Sequence, residues 1–324
     1  MENSPLNGRK SSRLRIGYLL PTRERVMAGV PETAGLLALA ERAETLGYDS
    51  VWVGDSLLAR PRHEPLTLLA GVAARTRRVR LGTAVLLPAL RNPVLLAHQA
   101  ATLDRMSEGR LILGVGVATD VPSVRDEFEA AGVPFEKRGA RMLEGLRLCR
   151  ALWSGEPVDW DGRWRVKQGS LGPTPHRPGG PPIWGGGSAG AALQRAGRHF
   201  DGWFPTGPDA ATWGEQWREV RAVAAAAGRD PDDVTGAVYL TLAIDDDEAA
   251  GNARIDAYLE RYYGAPATML RRRQACLAGS ASAARDWIES YAEAGAGHIV
   301  LRLVGDHHAL LDTVAQLRPG LGEE

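Results

Sequence analysis

The chain has 324 residues, of which 44% are hydrophobic and 24% are charged, a composition typical of a folded globular protein. Its 39 basic residues are matched by 39 acidic residues, so the net charge gives no reason to expect nucleic acid or an anionic membrane as a partner. The two cysteines, Cys149 and Cys276, lie far apart in helical patterns, which argues against a disulfide framework and a cysteine metal site.

The N-terminal segment, residues 1–13, is polar and basic and predicts a disordered tail. The apolar run at residues 16–21 is too short for a signal sequence or a membrane span. Together with the cysteine usage, this predicts a cytoplasmic protein. We expect residues 14–324 to form a single domain.

Short apolar runs of β type alternate with amphipathic helical stretches along the rest of the chain. Eight predicted strands begin at Arg15, Ser50, Val79, Arg110, Pro181, Asp201, Val234 and His298. Predicted helices include residues 33–46, 93–106, 138–153, 189–198 and 283–294. This alternation is typical of parallel strands joined by crossover helices, and closing the first strand against the eighth leaves no sheet edge. The sequence therefore predicts an α/β fold, a (β/α)8 TIM barrel.

Two insertions bring a barrel of about 250 residues to the observed length. The first, residues 155–181, follows the fourth helix, and its Asp161-Gly162 pair predicts a β-hairpin with a type I′ turn. The second, residues 245–280, follows the seventh strand and carries Tyr258, Tyr262 and Tyr263. These tyrosines either form a lid over a site or serve packing alone.

The loop after the second strand holds the first candidate site residues, because barrel enzymes place their chemistry at the C-terminal ends of the strands. Asp55 and Ser56 leave this strand as a polar pair, which either serves function or caps a turn. His63 lies further along and is the one histidine placed where catalysis needs it. We therefore predict Asp55, Ser56 and His63 as catalytic residues, and the sequence offers no set of metal ligands.

A glycine run, Gly185-Gly186-Gly187-Ser188, connects the fifth strand to the next helix. Its backbone N–H groups and the helix N-terminus predict an anion site, most naturally for phosphate. The same residues match a dinucleotide fingerprint, but no acidic residue follows at the required distance. They also match a nucleophile elbow, so a serine hydrolase using Ser188 stays an alternative, although the third strand is not followed by a glycine-rich oxyanion loop.

Arg302 alternates with Leu301 and Leu303 on the eighth predicted strand. A buried guanidinium without a counter-charge is unfavourable. We therefore predict an anionic partner for Arg302, either a structural carboxylate or a bound ligand.

Three motifs in order along the chain carry a family resemblance. They are AERAETLGYDSVWVGD from residue 40, RNPVLLAHQAATLDRMSEGRL from residue 91 and PPIWGGGSAGAALQRAGRHFDGWFP from residue 181. The chain resembles the bacterial luciferase-like monooxygenase family of flavin- and deazaflavin-dependent oxidoreductases over nearly its whole length. The resemblance implies a barrel whose strand ends bind reduced FMN or the deazaflavin coenzyme F-420.

The resemblance also implies which residues contact the cofactor. Phosphate contacts are expected at Gly186, Gly187 and Ser188 and at the end of the fourth strand, at Val117, Ala118 and Thr119. A non-proline cis peptide under the flavin ring is expected at Ala84-Val85. Many members carry a proton-handling histidine where this chain has Ser56, and a serine hydroxyl does not titrate near neutral pH.

These features give a leading interpretation and two others. The leading one is an FMNH2-dependent monooxygenase that acts on a small organic substrate, is supplied by a separate flavin reductase and is compatible with a homo-oligomer. The alternative is hydride transfer with coenzyme F-420, which forms no oxygen adduct. A flavin-binding protein without turnover would belong to a different class.

Overall fold

The computed structural model of the protein describes residues 13–317. Residues 1–12 of the predicted tail and residues 318–324 of the predicted domain lie outside the described part of the chain. No helix within residues 13–317 is both long enough and apolar enough to cross a membrane.

The structure contains eleven strands and twelve α-helices in the described part of the chain. The strands are β1 (Arg15–Leu19), β2 (Ser50–Val53), β3 (Arg80–Thr83), β4 (Leu111–Val115), β5 (Val158–Asp161), β6 (Arg165–Gly169), β7 (Ile183–Gly185), β8 (Gly202–Trp203), β9 (Thr235–Ile244), β10 (Cys276–Gly279) and β11 (His298–Leu303). The helices are α1 (Thr22–Met27), α2 (Ala34–Thr45), α3 (Pro65–Arg75), α4 (Pro93–Met106), α5 (Pro122–Ala130), α6 (Arg138–Leu152), α7 (Gly190–His199), α8 (Ala210–Ala226), α9 (Glu248–Tyr263), α10 (Ala267–Arg271), α11 (Ala281–Glu293) and α12 (His307–Leu317).

Eight parallel strands close into a barrel in the order β1, β2, β3, β4, β7, β8, β9, β11. The ring closes where β11 pairs with β1, with Leu301 opposite Tyr18. The prediction of a (β/α)8 barrel is thus confirmed, and each of the eight predicted strands supplies one barrel strand. The third strand ends at Thr83, earlier than the apolar run suggested.

The barrel interior is filled by aromatic rings, and glycines on neighbouring strands make room for them. Trp52 on β2 lies opposite Gly82 on β3, where a Cβ would collide with its indole ring. The Trp52 ring centroid lies 4.8 Å from that of Phe204 and 5.4 Å from that of Trp184. Because interiors are close-packed, this aromatic cluster forms a solid floor beneath the C-terminal ends of the strands.

The first insertion forms the predicted hairpin, but the predicted type I′ turn is wrong. Asp161 pairs with Arg165, so three residues form the loop, whereas a type I′ turn needs two central residues with positive φ. Glu144 on α6 holds this loop, accepting from the Arg163 backbone N–H at 2.6 Å and pairing with its guanidinium at 3.0 Å. This contact with α6 stabilises the three-residue loop, and the sequence of the hairpin alone could not indicate it.

The second insertion contains α9, α10 and the unpredicted strand β10, which pairs in parallel with β9 outside the barrel ring. Cys276 opens this strand, so its placement in a helical pattern was wrong. Gly264 ends α9 in a left-handed conformation with φ +67°, a backbone state that favours glycine. The insertion begins directly after β9 and ends with β10, which pairs with β9, so both of its ends are attached to the sheet.

Candidate active site

A cavity of about 320 Å³ opens at the C-terminal ends of the barrel strands. It is the place where barrel enzymes carry their chemistry. The cavity is lined by nine of the predicted site residues, Asp55, Ser56, Ala84, Val85, Val117, Ala118, Thr119, Gly186 and Gly187. His63 and Ser188 are not among the lining residues. The lining also includes residues that the sequence did not single out, namely Arg60, Arg62, Glu127, Phe204 and Tyr239.

Asp55 lines the cavity but both of its carboxylate oxygens are already engaged. Arg91 donates to them at 2.5 Å and 3.1 Å, and the backbone N–H of Leu87 donates at 2.9 Å. The Asp55 side chain is only 2% exposed. This bidentate pair fixes the segment after β3 against the end of β2, so the geometry gives Asp55 a positioning role.

Ser56 is hydrogen bonded to a carboxylate that arrives from α5. Its hydroxyl donates to Oε2 of Glu127 at 2.8 Å and accepts from the backbone N–H of Arg60 at 2.9 Å. The same Glu127 oxygen accepts from the N–H groups of Leu58 and Ala59, each at 2.8 Å. The loop after β2 is thus folded around one buried carboxylate, and Ser56 connects that carboxylate to the cavity.

Glu127 has one carboxylate oxygen that is left over. The residue is 1% exposed, and within residues 13–317 no hydrogen-bond partner is found for Oε1. A buried oxygen without a donor is unfavourable, so Oε1 of Glu127 keeps the capacity to accept one further hydrogen bond.

His63 lies at the far end of the same loop, away from the cavity lining. Its Nε2 lies 2.5 Å from the carbonyl oxygen of Pro31. This contact ties the loop to the segment between α1 and α2 and does not bring the imidazole to the predicted site.

The peptide bond between Ala84 and Val85 is cis, which confirms the expectation from the resemblance. Val85 lines the cavity, and glycines flank its side chain. A Cβ on Gly116 would lie 2.6 Å from Cγ2 of Val85, and one on Gly186 would lie 3.3 Å from its Cγ1. The Val85 side chain therefore fits between Gly116 after β4 and Gly186 after β7, where larger residues would collide with it or crowd it.

The glycine run after β7 presents backbone rather than side chains. The Gly186 N–H is used within the barrel, donating to the carbonyl of Val115 at 2.8 Å. Gly187 has φ +96°, and its carbonyl accepts from the Trp203 indole at 2.9 Å. No side chain caps the N-terminus of α7, so the positive end of this helix is available to an anion.

Ser188 is not among the residues that line the cavity, and its hydroxyl donates to the carbonyl of Gly207 at 3.2 Å. Within the described residues no histidine is hydrogen bonded to it, whereas a serine nucleophile needs an adjacent base. The local geometry therefore does not favour the hydrolase alternative.

The segment after β4 is held by Arg138 at the start of α6. Its Nε donates to the carbonyl of Val117 at 2.7 Å. Ala118 adopts φ +62°, which is uncommon for a residue with a Cβ. The predicted residues Val117 and Ala118 thus form a fixed shoulder of the cavity between β4 and α5.

No carboxylate of the described residues pairs with Arg302, so the first of its two expected partners, a structural carboxylate, is not found, and the second, a bound ligand, stays a prediction. Its guanidinium, 2% exposed, donates instead to neutral acceptors, Thr241 at 2.7 Å and Tyr263 at 2.8 Å, and to Gln274. The rings within 5.2–5.6 Å of its Cζ belong to Tyr239, Tyr258, Tyr262 and Tyr263. The aromatic faces replace a carboxylate as the favourable surroundings of the charge.

Comparison with known proteins identifies the family. Residues 14–298 match the luciferase-like monooxygenase family. The chain belongs to this family. It is accordingly an oxidoreductase, and the resemblance noted in the sequence is confirmed.

Two relatives of the chain are named as enzymes that depend on the cofactor F420. The chain is 31% identical over 305 residues to an F420-dependent glucose-6-phosphate dehydrogenase of Nocardia farcinica, covering 86% of this chain and 90% of that enzyme. It is 35% identical over 235 residues to the enzyme of that name from Mycobacterium tuberculosis, covering 69% of each.

Solved structures of the family share the fold. An F420-dependent secondary alcohol dehydrogenase superposes with a TM-score of 0.82 at 21% identity, covering 96% of this chain and 100% of that one. The monooxygenase RslO1 from Streptomyces bottropensis gives 0.78 at 23% identity, covering 95% and 98%. At these identities the likeness concerns the barrel alone.

Proposed function

We propose that this protein transfers a hydride between a small organic substrate and the deazaflavin coenzyme F-420. The observation that carries the proposal is the 31% identity to an F420-dependent dehydrogenase across 90% of that enzyme. The leading interpretation from the sequence, an FMNH2-dependent monooxygenase, has less support, because the relatives described above at this level of identity are named for F420.

The residues of the cavity fit a flat, phosphate-bearing cofactor. Val85 and Ala84 offer an apolar surface at the end of β3, and the uncapped N-terminus of α7 beside Gly187 offers backbone N–H groups to a phosphate. When bound, the deazaflavin accepts or donates a hydride and does not form the oxygen adduct of a flavin.

The chain's own residues would orient the substrate and handle its proton. Ser56 lies at the cavity surface with its hydroxyl already directed to Glu127. A substrate hydroxyl that donates to the Ser56 oxygen is therefore one hydrogen bond away from a buried carboxylate. We assign the proton-accepting role to Glu127, with Ser56 as the contact to the substrate.

An absorbance titration with coenzyme F-420 and, separately, with FMN tests the proposal. We expect saturable binding of the deazaflavin, reduction of the deazaflavin on addition of an organic substrate, and no oxygen uptake. The names of the relatives make glucose 6-phosphate the first substrate to assay. Tighter binding of reduced FMN accompanied by oxygen consumption would contradict the proposal and restore the monooxygenase interpretation.

A further inference from the structure

We propose that Arg60 and Arg62 form an oxyanion subsite that binds a carboxylate or phosphate group of the substrate. This inference rests on the proposed function in one respect, namely that the anion bound at the subsite is part of the substrate. It adds a chemical class, since the substrate must then be a small organic anion.

The two arginines are held side by side in the loop after β2. Nε of Arg62 donates to the carbonyl of Arg60 at 3.1 Å, and both residues line the cavity. The backbone of Gly54 lies against the Arg62 guanidinium, where any Cβ would collide with Nη1. A glycine at position 54 therefore leaves the space that the Arg62 guanidinium fills.

Tyrosines of α9 support the guanidinium groups from the other side of the cavity. The Cζ of Arg60 lies 5.1 Å from the ring centroid of Tyr263, and that of Arg62 lies 5.5 Å from the ring of Tyr262. These cation–π contacts stabilise the two charges without using an acidic partner, and both arginines still line the cavity.

No carboxylate in residues 13–317 lies within 4.0 Å of the side-chain nitrogens of Arg60 or Arg62. Arg91, another arginine beside the cavity, differs because Asp55 and Glu64 both pair with it. Arg91 is therefore neutralised by carboxylates and holds the backbone in place, whereas Arg60 and Arg62 have no ion pair.

Further positive charge surrounds the same tyrosines. Arg23 donates to the backbone carbonyl of Tyr262 at 3.0 Å, and its Cζ lies 5.2 Å from that ring. Burial lowers the pKa of Arg23, and so do the charges of Arg62 and Arg60. The nearby Glu24 counters this repulsion in part and is hydrogen bonded to the hydroxyl of Tyr258. Burial acts to lower the pKa of Arg62, but Tyr262, Tyr263 and Glu24 outweigh it and raise that pKa, so a charged guanidinium is kept at the cavity wall.

The shape of the site indicates the kind of ligand. A guanidinium fork matches the planar oxygens of a carboxylate or the oxygens of a phosphate. The adjacent wall is aromatic, with the rings of Phe204 and Tyr239 stacked at 6.3 Å. A compact organic molecule with one anionic end fits this combination of charge and aromatic surface.

Calorimetric titration with inorganic phosphate and with benzoate tests the subsite and distinguishes the two kinds of oxyanion. The proteins to compare are the wild type, Arg60→Gln, Arg62→Gln and the control Arg218→Gln. Arg218 is exposed and lies beside Arg15 and Gly297 at the opposite end of the barrel. We expect at least one probe to bind the wild type and the control equally, and to bind Arg62→Gln at least tenfold more weakly. Arg60→Gln should show a loss in the same direction.

The glycine loop before α7 could also bind phosphate, so Gly187→Val is titrated in parallel. Loss of probe binding in Gly187→Val together with unchanged binding in both arginine variants would overturn the subsite. Failure of both probes to bind the wild type would overturn it as well.

A separate titration with coenzyme F-420 keeps the two proposals apart. Binding of F-420 without any effect of the arginine variants on the probes refutes the subsite alone. Arginine-dependent probe binding without binding of F-420 refutes the proposed cofactor and leaves the oxyanion subsite supported.

Discussion

The hydroxyl of Ser56 and Oε2 of Glu127 lie 2.8 Å apart although 71 residues separate them in the sequence. Ser56 follows the end of β2, and the carboxylate comes from α5, beyond β3 and β4. A group that does not titrate near neutral pH is thereby joined to one that can accept a proton. This pairing is the basis of the first prediction.

Replacing Glu127 with Gln should destabilise the protein more than replacing Ser56 with Ala. The carboxylate accepts three hydrogen bonds in a buried position, and hydrogen bonds to charged groups contribute about 1.5–3 kcal/mol each against about 1 kcal/mol for neutral ones. Urea unfolding measures the difference. Equal midpoints and slopes for Glu127→Gln and wild type would show that the loop does not depend on this charge.

The same two variants should separate in turnover. Ser56→Ala removes one contact and should slow the reaction modestly, with an unchanged shape of the pH profile between pH 6 and 9. Glu127→Gln removes the proposed proton acceptor and should slow the reaction more than Ser56→Ala does. Steady-state rates across this range are the measurement, and a silent Glu127→Gln together with an inactive Ser56→Ala would reverse the assignment.

Asp55→Asn should act mainly through stability. Removing Arg91 leaves the buried Asp55 carboxylate without its counter-charge, whereas removing Asp55 leaves Arg91 paired with Glu64 alone. Breaking a buried pair costs about 3–5 kcal/mol. Arg91→Gln should be similar, and the double variant should lose less than the sum of the two. A double-mutant cycle by denaturant unfolding gives the coupling free energy, and strict additivity would mean that the pair contributes nothing.

Gly187→Val should weaken binding of the cofactor phosphate. Its φ of +96° also makes valine unfavourable there, by about 1–2 kcal/mol. The matched control is Gly228→Val, which has φ +75° with nothing within 4 Å of an added Cβ. Both variants should lose stability, but only Gly187→Val should lose affinity for coenzyme F-420 in an absorbance titration. Equal affinities would remove the glycine loop from the cofactor site.

His298 should make the folded protein less stable in mild acid. Burial, followed by the charges of Arg80 and Arg15, lowers the pKa of His298 to about 3, against about 6.5 in the unfolded chain. The unfolded chain therefore binds more protons between these values, and stability falls as the pH drops through that window, by at most about 1.4 kcal/mol per pH unit. His298→Asn should flatten this dependence in unfolding experiments at pH 4 to 6. An unchanged slope would mean that His298 titrates normally.

The sequence predicted the barrel and much of the cavity wall, because both depend on local patterns. Alternating apolar runs located the strands, and the glycine run marked the turn into α7. Glu127 and Arg62 escaped notice, since an acidic helix residue and a loop arginine have no local signal for their roles. Arg302 was expected to have a structural carboxylate or a bound ligand as its partner. No such carboxylate is found in the described residues, and tyrosines from β9 and α9 surround the guanidinium, a convergence that exists only in the folded chain.

The strand β10 anchors the C-terminal end of the second insertion, which carries the helix α9 and its tyrosines. Residues 276–279 pair one by one with residues 241–244 of β9, so α9 is suspended between two neighbouring strands of one sheet. Arg302 on β11 adds a hydrogen bond of 2.8 Å to the Tyr263 hydroxyl. A hinged opening of α9 would have to break this bond or part of the parallel ladder. Because Tyr262 and Tyr263 at the end of α9 line the cavity, the attachment of this insertion to β9 and to Arg302 also fixes the position of that part of the cavity wall.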